Sequence, residues 1–125
     1  MDDMDEKRLS GSWGEERALS FLLSRGYRLL ERNYRSRYGE LDLIMRDDRF
    51  LVFAEVKARK RKSFARAREA VTPAKRERLV KTARLWLAEN EDVRLQPRFD
   101  VVEIYAPEGE GSVLVEINHL QNVFF

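Results

Sequence analysis

Apolar residues recur along this chain in two rhythms, one helical and one alternating. Between Gly11 and Arg25, Trp13, Ala18, Leu19, Phe21, Leu22 and Leu23 recur at helical spacing, and Gly26 is placed to end that helix in a left-handed conformation. Tyr27–Arg37 reads as an extended strand of mixed basic and aromatic residues. Glu40–Arg46 and Phe50–Ala58 alternate with a period of two and predict a hairpin around Asp47–Asp48. Arg59–Ala67 is a basic loop. Thr72 and Pro73 form a good cap and first-turn pair for a second helix, which runs to about Glu89 with Leu79, Ala83, Trp86 and Leu87 as its apolar stripe. Arg98–Ala106 and Ser112–Ile117 predict two further strands, joined through Pro107–Gly111, and Asn118–Phe125 reads as a short helix or an ordered apolar end. The order α-β-β-β-α-β-β predicts one α/β domain over residues 11–125, with a central mixed sheet of about five strands flanked by helices. Residues 1–10 are expected to be a flexible, polar lead-in.

Strand alternation makes the hairpin chemically informative. A tight two-residue turn at Asp47–Asp48 sets Arg46 opposite Arg49, Asp42 opposite Phe53 and Glu40 opposite Glu55. One face then carries Leu41, Leu43, Met45, Phe50, Val52, Ala54 and Val56, with no charge. The other carries Ile44, Leu51 and Phe53 near the turn, and Glu40, Asp42, Glu55 and Lys57 at the far end. Asp42 and Glu55 become diagonal neighbours, roughly 7–8 Å apart at the backbone. On the first helix Glu15 shares a stripe with Ala18, Leu19 and Leu22, while Glu16 falls at its edge. A structural ion pair through Lys57 is the simplest account of these charges. It leaves a surplus, since three or four acids face one lysine. Like charges that close repel or take up protons unless a cation joins them, and carboxylate oxygens suit a hard divalent ion.

Composition narrows the context. The chain has no cysteine, so it has neither a disulfide framework nor a thiolate metal site. No apolar run approaches the roughly 18 residues of a membrane span. The acidic, polar start lacks signal-peptide character, and a cytoplasmic location is expected. The net charge of +2 hides an asymmetry: Lys57–Arg84 holds twelve Lys/Arg against two Asp/Glu, +10 locally, which leaves −8 elsewhere. A basic segment beside acidic flanks suits a local anionic partner; its bland reading is a solvated charged face. Tyr27, Tyr34 and Tyr38 among arginines suit either base stacking or, more simply, a sheet. Arg98 and Asp100 read as an ion pair flanking a core strand. The lone His119 has no partner ligand near it in sequence, which argues against a zinc site and suits a partly exposed tail residue.

At Asp42 and Glu55–Val56–Lys57 the sequence resembles the core of the PD-(D/E)xK, restriction-endonuclease-like nucleases, a D…ExK signature across a β-hairpin. More narrowly, GSWGEERA, GYRLLERNYR, GELDLI, FAEVKAR, AVTPAKRERL, RFDVVEI and INHLQNVFF resemble the YraN-like family of predicted bacterial endonucleases, relatives of the archaeal Holliday junction resolvases. Leu41 stands where the superfamily's proline would. The resemblance implies a restriction-endonuclease-like fold, with Asp42 and Glu55 as ligands for Mg²⁺ or Mn²⁺, Lys57 as the catalytic lysine and Glu15 as the first-helix acid, also near the metal. It implies hydrolysis of DNA phosphodiesters, on branched, junction or single-stranded DNA. DNA contacts are expected from Arg59, Lys60, Arg61 and Lys62 and from Lys75, Arg76 and Arg78, with Lys75 at a helix N-terminus that also favours phosphate. Junction resolution calls for a two-fold homodimer. Two other classes fit the residues: a non-catalytic nucleic-acid-binding module that retains a nuclease fold, and a structural protein whose carboxylates bind a cation.

Overall fold

The computed structural model describes residues 11–60 and 71–124. The elements follow in the expected order: α1 (Gly11–Ser24), β1 (Arg28–Arg35), β2 (Glu40–Arg46), β3 (Phe50–Arg59), α2 (Pro73–Glu89), β4 (Gln96–Tyr105), a short 3-10 turn (Gly109–Gly111) and β5 (Glu116–Phe124). The five strands form one mixed sheet in the order β1-β2-β3-β4-β5. Only β3 and β4 run parallel, because α2 carries the chain across between them; the other neighbours are antiparallel. Gly26, at φ 93°, ends α1 as its position in the sequence suggests. The Thr72 hydroxyl caps α2 by accepting the Lys75 N–H at 3.2 Å, with Pro73 in the first turn.

Each face of the sheet has its own core. Ala18 and Leu22 of α1 pack with Leu43, Met45, Val52, Ala54, Val102 and Ile104. Leu79, Ala83 and Trp86 of α2 pack with Ile44, Leu51, Phe53, Phe99 and Val101. The alternation predicted for the hairpin therefore holds, except at Leu41, which joins Ile44 and Phe53 rather than Leu43.

Two sequence-based expectations are corrected. The hairpin pairs Arg46 with Leu51 and Ile44 with Phe53, a register shifted by two residues. The Asp47 carboxylate accepts the N–H groups of Arg49 (2.8 Å) and Phe50 (2.7 Å), and the Asp47 N–H reaches the Phe50 carbonyl at 3.1 Å, so the turn centres on Asp48–Arg49. An even shift preserves the faces. The second correction concerns the C-terminal end. The expected strand at Ser112–Ile117 lies later, and the tail is itself a strand, β5, paired with β4. His119 lies on it beside the Asp100 carboxylate (2.6 Å), with a side chain only 9% exposed. Asp100 also accepts a bidentate bond from Arg98 (2.9 and 2.8 Å) and the Asn122 N–H, while Arg98 donates to the Tyr27 hydroxyl at 2.7 Å. Tyr27 and Tyr34 are structural residues; the Tyr34 hydroxyl donates to Glu89.

Candidate active site

The site begins where a ladder stops. The pairing of β2 with β3 runs from Arg46 opposite Leu51 to Leu43 opposite Ala54 and goes no further. Both strands continue, β2 along β1 to Glu40 and β3 along β4 to Arg59. Each follows its outer neighbour, and a gap opens between them. Asp42 sits at its apex. Its Oδ2 accepts the Val56 N–H at 2.8 Å, so a side chain takes up a backbone donor beyond the end of the ladder.

Gly14 brings α1 to this gap. A Cβ there would stand 3.0 Å from the Ala58 Cβ, so a glycine eases the close approach of the helix to β3. The next residue, Glu15, is thereby placed with Glu40 and Asp42, and one ligand oxygen from each lies within 4.8 Å of the others. Three carboxylates that converge this closely suit a hard divalent cation. Burial is the main reason the Asp42 carboxyl is pushed up to about 7; the Val56 N–H opposes this, and the charges of Glu55, Glu15 and Glu40 add to it. Arg32 lies 4.0 Å from Glu15, and Arg35 lies 3.4 Å from Glu40. Among the described residues Asp42 forms no ion pair, although its charge acts on the nearby Lys75 ammonium.

Glu55 and Lys57 follow on β3, on the face that α2 covers. Glu55 Oε1 meets the Lys57 ammonium at 3.4 Å and the Lys75 ammonium at 2.6 Å. Burial holds the Lys57 pKa below the usual lysine range despite the Glu55 charge. Burial acts the same way on Lys75, but its hydrogen bond and charge interaction with Glu55 outweigh it and raise its pKa. Glu40, Asp42 and Glu55 also line a cleft whose other walls, Asp100 apart, are apolar, among them Phe53, Leu79 and Phe99.

The sequence-predicted residues Glu15, Asp42, Glu55 and Lys57 thus gather at one end of the sheet, in two adjoining groups. Glu40 completes the acidic group; the sequence put it on the correct face but gave it no role. Glu103 was missed. It stands beside Lys57 across the parallel β3·β4 pair, and its Oε2 is buried with no hydrogen-bond partner among the described residues. Its signal was the alternation of RFDVVEI, which is unreadable for this purpose until β4 is registered against β3. Of the residues expected to contact DNA, Arg59 ends β3 and Lys60 follows it, both half-buried, and Arg78 is exposed. Arg76 is half-buried with its guanidinium over the Phe124 ring, and Lys75 points to Glu55. Arg61 and Lys62 lie outside the described residues. No helix among the described residues is long and apolar enough to cross a membrane.

The profile of the uncharacterised protein family UPF0102 matches residues 14–104 of this chain. A UPF0102 protein of Nocardia farcinica is 45% identical over 119 residues, covering 95% of this chain and 91% of the relative. One from Syntrophomonas wolfei is 44% identical, over 91% of this chain and 96% of its own. One from Caldanaerobacter subterraneus is 38% identical, over 94% and 96% respectively.

Proposed function

We propose, on the premise that this chain belongs to the uncharacterised protein family UPF0102, that it is a metal-dependent nuclease that hydrolyses DNA phosphodiester bonds. The observation that carries the reading is the position of Asp42. It is an aspartate set at the parting of two strands, half-buried, with Glu15 and Glu40 converging on it. Such an arrangement is costly for a metal-free protein and is relieved by a divalent cation.

The donor set fits Mg²⁺ or Mn²⁺. Asp42, Glu15 and Glu40 would hold the ion, and Glu55 would turn its carboxylate to it from β3. A bound ion supplies Lewis-acid stabilisation of the charge that grows on phosphorus. The chain's own residues do the rest. Lys57, whose charged form is disfavoured by burial, is suited to exchange a proton with the attacking water and to hold that water against the phosphate. Arg59, Lys60 and Arg78 would carry the phosphate backbone past the site, and such contacts release counterions.

Asp42→Ala, Glu55→Ala and Lys57→Ala are each expected to lower cleavage of a labelled DNA substrate by at least about 10²-fold. Circular dichroism should show the fold retained. Wild-type activity in all three variants would overturn the assignment. The arginine partners of Glu15 and Glu40 favour a second reading, a nucleic-acid-binding module whose acids serve as structural charge pairs. That reading predicts DNA binding without cleavage and no effect of Mg²⁺ on thermal stability.

A further inference from the structure

Lys75 reads from sequence as a phosphate contact, yet its place on α2 points elsewhere. Leu79 lies one turn further along the same stripe and is buried in the core; Trp86 lies two turns beyond that. Lys75 therefore sits on the sheet-facing side of its helix, with a side chain 28% exposed. The Thr72 cap and Pro73 fix the turn that carries it. From there its ammonium reaches Glu55 Oε1 at 2.6 Å, closer than the 3.4 Å of Lys57 to the same oxygen. Two ammonium groups from different elements thus converge on one oxygen of a residue that the proposed function makes a metal ligand.

We propose that Lys75 is the resident counter-cation of Glu55, and that a divalent metal ion and the Lys75 ammonium compete for that carboxylate. The inference rests on the metal-binding reading above and deepens it. In the metal-free protein Lys75 holds the Glu55 carboxylate in place at the edge of the gap. Loading the site would bring a divalent cation to the same carboxylate that Lys75 holds. Lys75 is then a positioning residue that sets the metal concentration at which the site fills.

The test is a titration of Mn²⁺, without nucleic acid, into the wild-type chain and the variants Lys75→Met, Lys75→Arg, Glu55→Gln and Lys75→Met/Glu55→Gln. Bound ion is read from the loss of the free-Mn²⁺ paramagnetic signal. Freeing the Glu55 carboxylate from its competing ammonium should tighten binding about fivefold to tenfold in Lys75→Met. Lys75→Arg should keep the wild-type affinity, and the effect of Lys75→Met should vanish in the Glu55→Gln background. Met is a good helix former, so the fold is expected to survive, and melting curves check this. Equal or weaker Mn²⁺ binding by Lys75→Met overturns this proposal alone and returns Lys75 to a phosphate contact or a static ion pair. No Mn²⁺ binding by either wild type or Lys75→Met overturns it together with the metal reading beneath it.

Discussion

Asp42 combines a half-buried carboxylate, three acidic neighbours and a single backbone donor. At pH 8 that charge works against the metal-free fold. Asp42→Asn keeps an oxygen for the Val56 N–H and removes the charge. The variant should melt higher than wild type without metal, by the equivalent of about 1–2 kcal/mol, and should lose any Mg²⁺-induced rise in melting temperature. Differential scanning fluorimetry with and without Mg²⁺ reads both effects, and a variant less stable than wild type would contradict the account. The shared face of Asp42, Glu55 and Lys57 was legible because alternation sets it along each strand and a register shift of two leaves it unchanged. Glu40 was legible in position and not in purpose, since closeness to Glu15 depends on how α1 meets the sheet. The partner of Lys75 was hidden for the same reason. Its helix and β3 are joined through a segment whose path the sequence does not set.

At the scale of elements, two contacts decide the architecture of the site. The first is α1 against β3 through Gly14. Gly14→Val would force the helix off Ala58 and Val56. Overpacking of this kind should cost about 1–3 kcal/mol in urea unfolding and displace Glu15, with a matching loss of metal binding. Unchanged stability would show that the close approach is dispensable. The second contact joins β4 to β5. Burial pushes the Asp100 carboxyl up, but the bonds from His119, Arg98 and Asn122 outweigh this and hold it below the usual range. A depressed folded-state pKa gives stability that is present above the unfolded value, about 4, and is lost as pH falls through the folded value. Wild type should therefore lose stability below about pH 4 more steeply than Asp100→Asn. The variant itself should lose about 3 kcal/mol at pH 7, since Arg98 is left buried without its charge partner. Urea midpoints across pH measure both. The Arg98–Asp100 pair was legible from its spacing on one strand. The role of His119 was not, because a lone histidine in a C-terminal tail looks exposed until the tail is seen to be a strand. The hairpin register was misjudged for a local reason: Asp47 and Asp48 are both good turn residues, and the side-chain bonds of Asp47 select the later turn.

For the whole molecule, the order of elements was readable because each helix and strand carries its own rhythm. The single parallel pair follows once a helix is seen to bridge β3 and β4. The parting of β2 from β3 was not readable. It is a competition among neighbours for backbone hydrogen bonds, and the Asp42 carboxylate takes one side of it. If the basic residues beyond the gap track phosphates, DNA affinity should fall steeply with salt, with a slope reduced by roughly one for each of Arg59, Lys60 and Arg78 replaced by alanine. Fluorescence anisotropy across a salt series gives that slope, and an affinity indifferent to salt would contradict the surface. The most direct measurement is cleavage of labelled single-stranded, duplex, flap and four-way-junction DNA with Mg²⁺ or Mn²⁺, using Lys57→Ala as the control. The account predicts metal-dependent cutting of at least one substrate by the wild-type chain and its loss in the variant. Binding without cutting on every substrate, or equal cutting by Lys57→Ala, would contradict it.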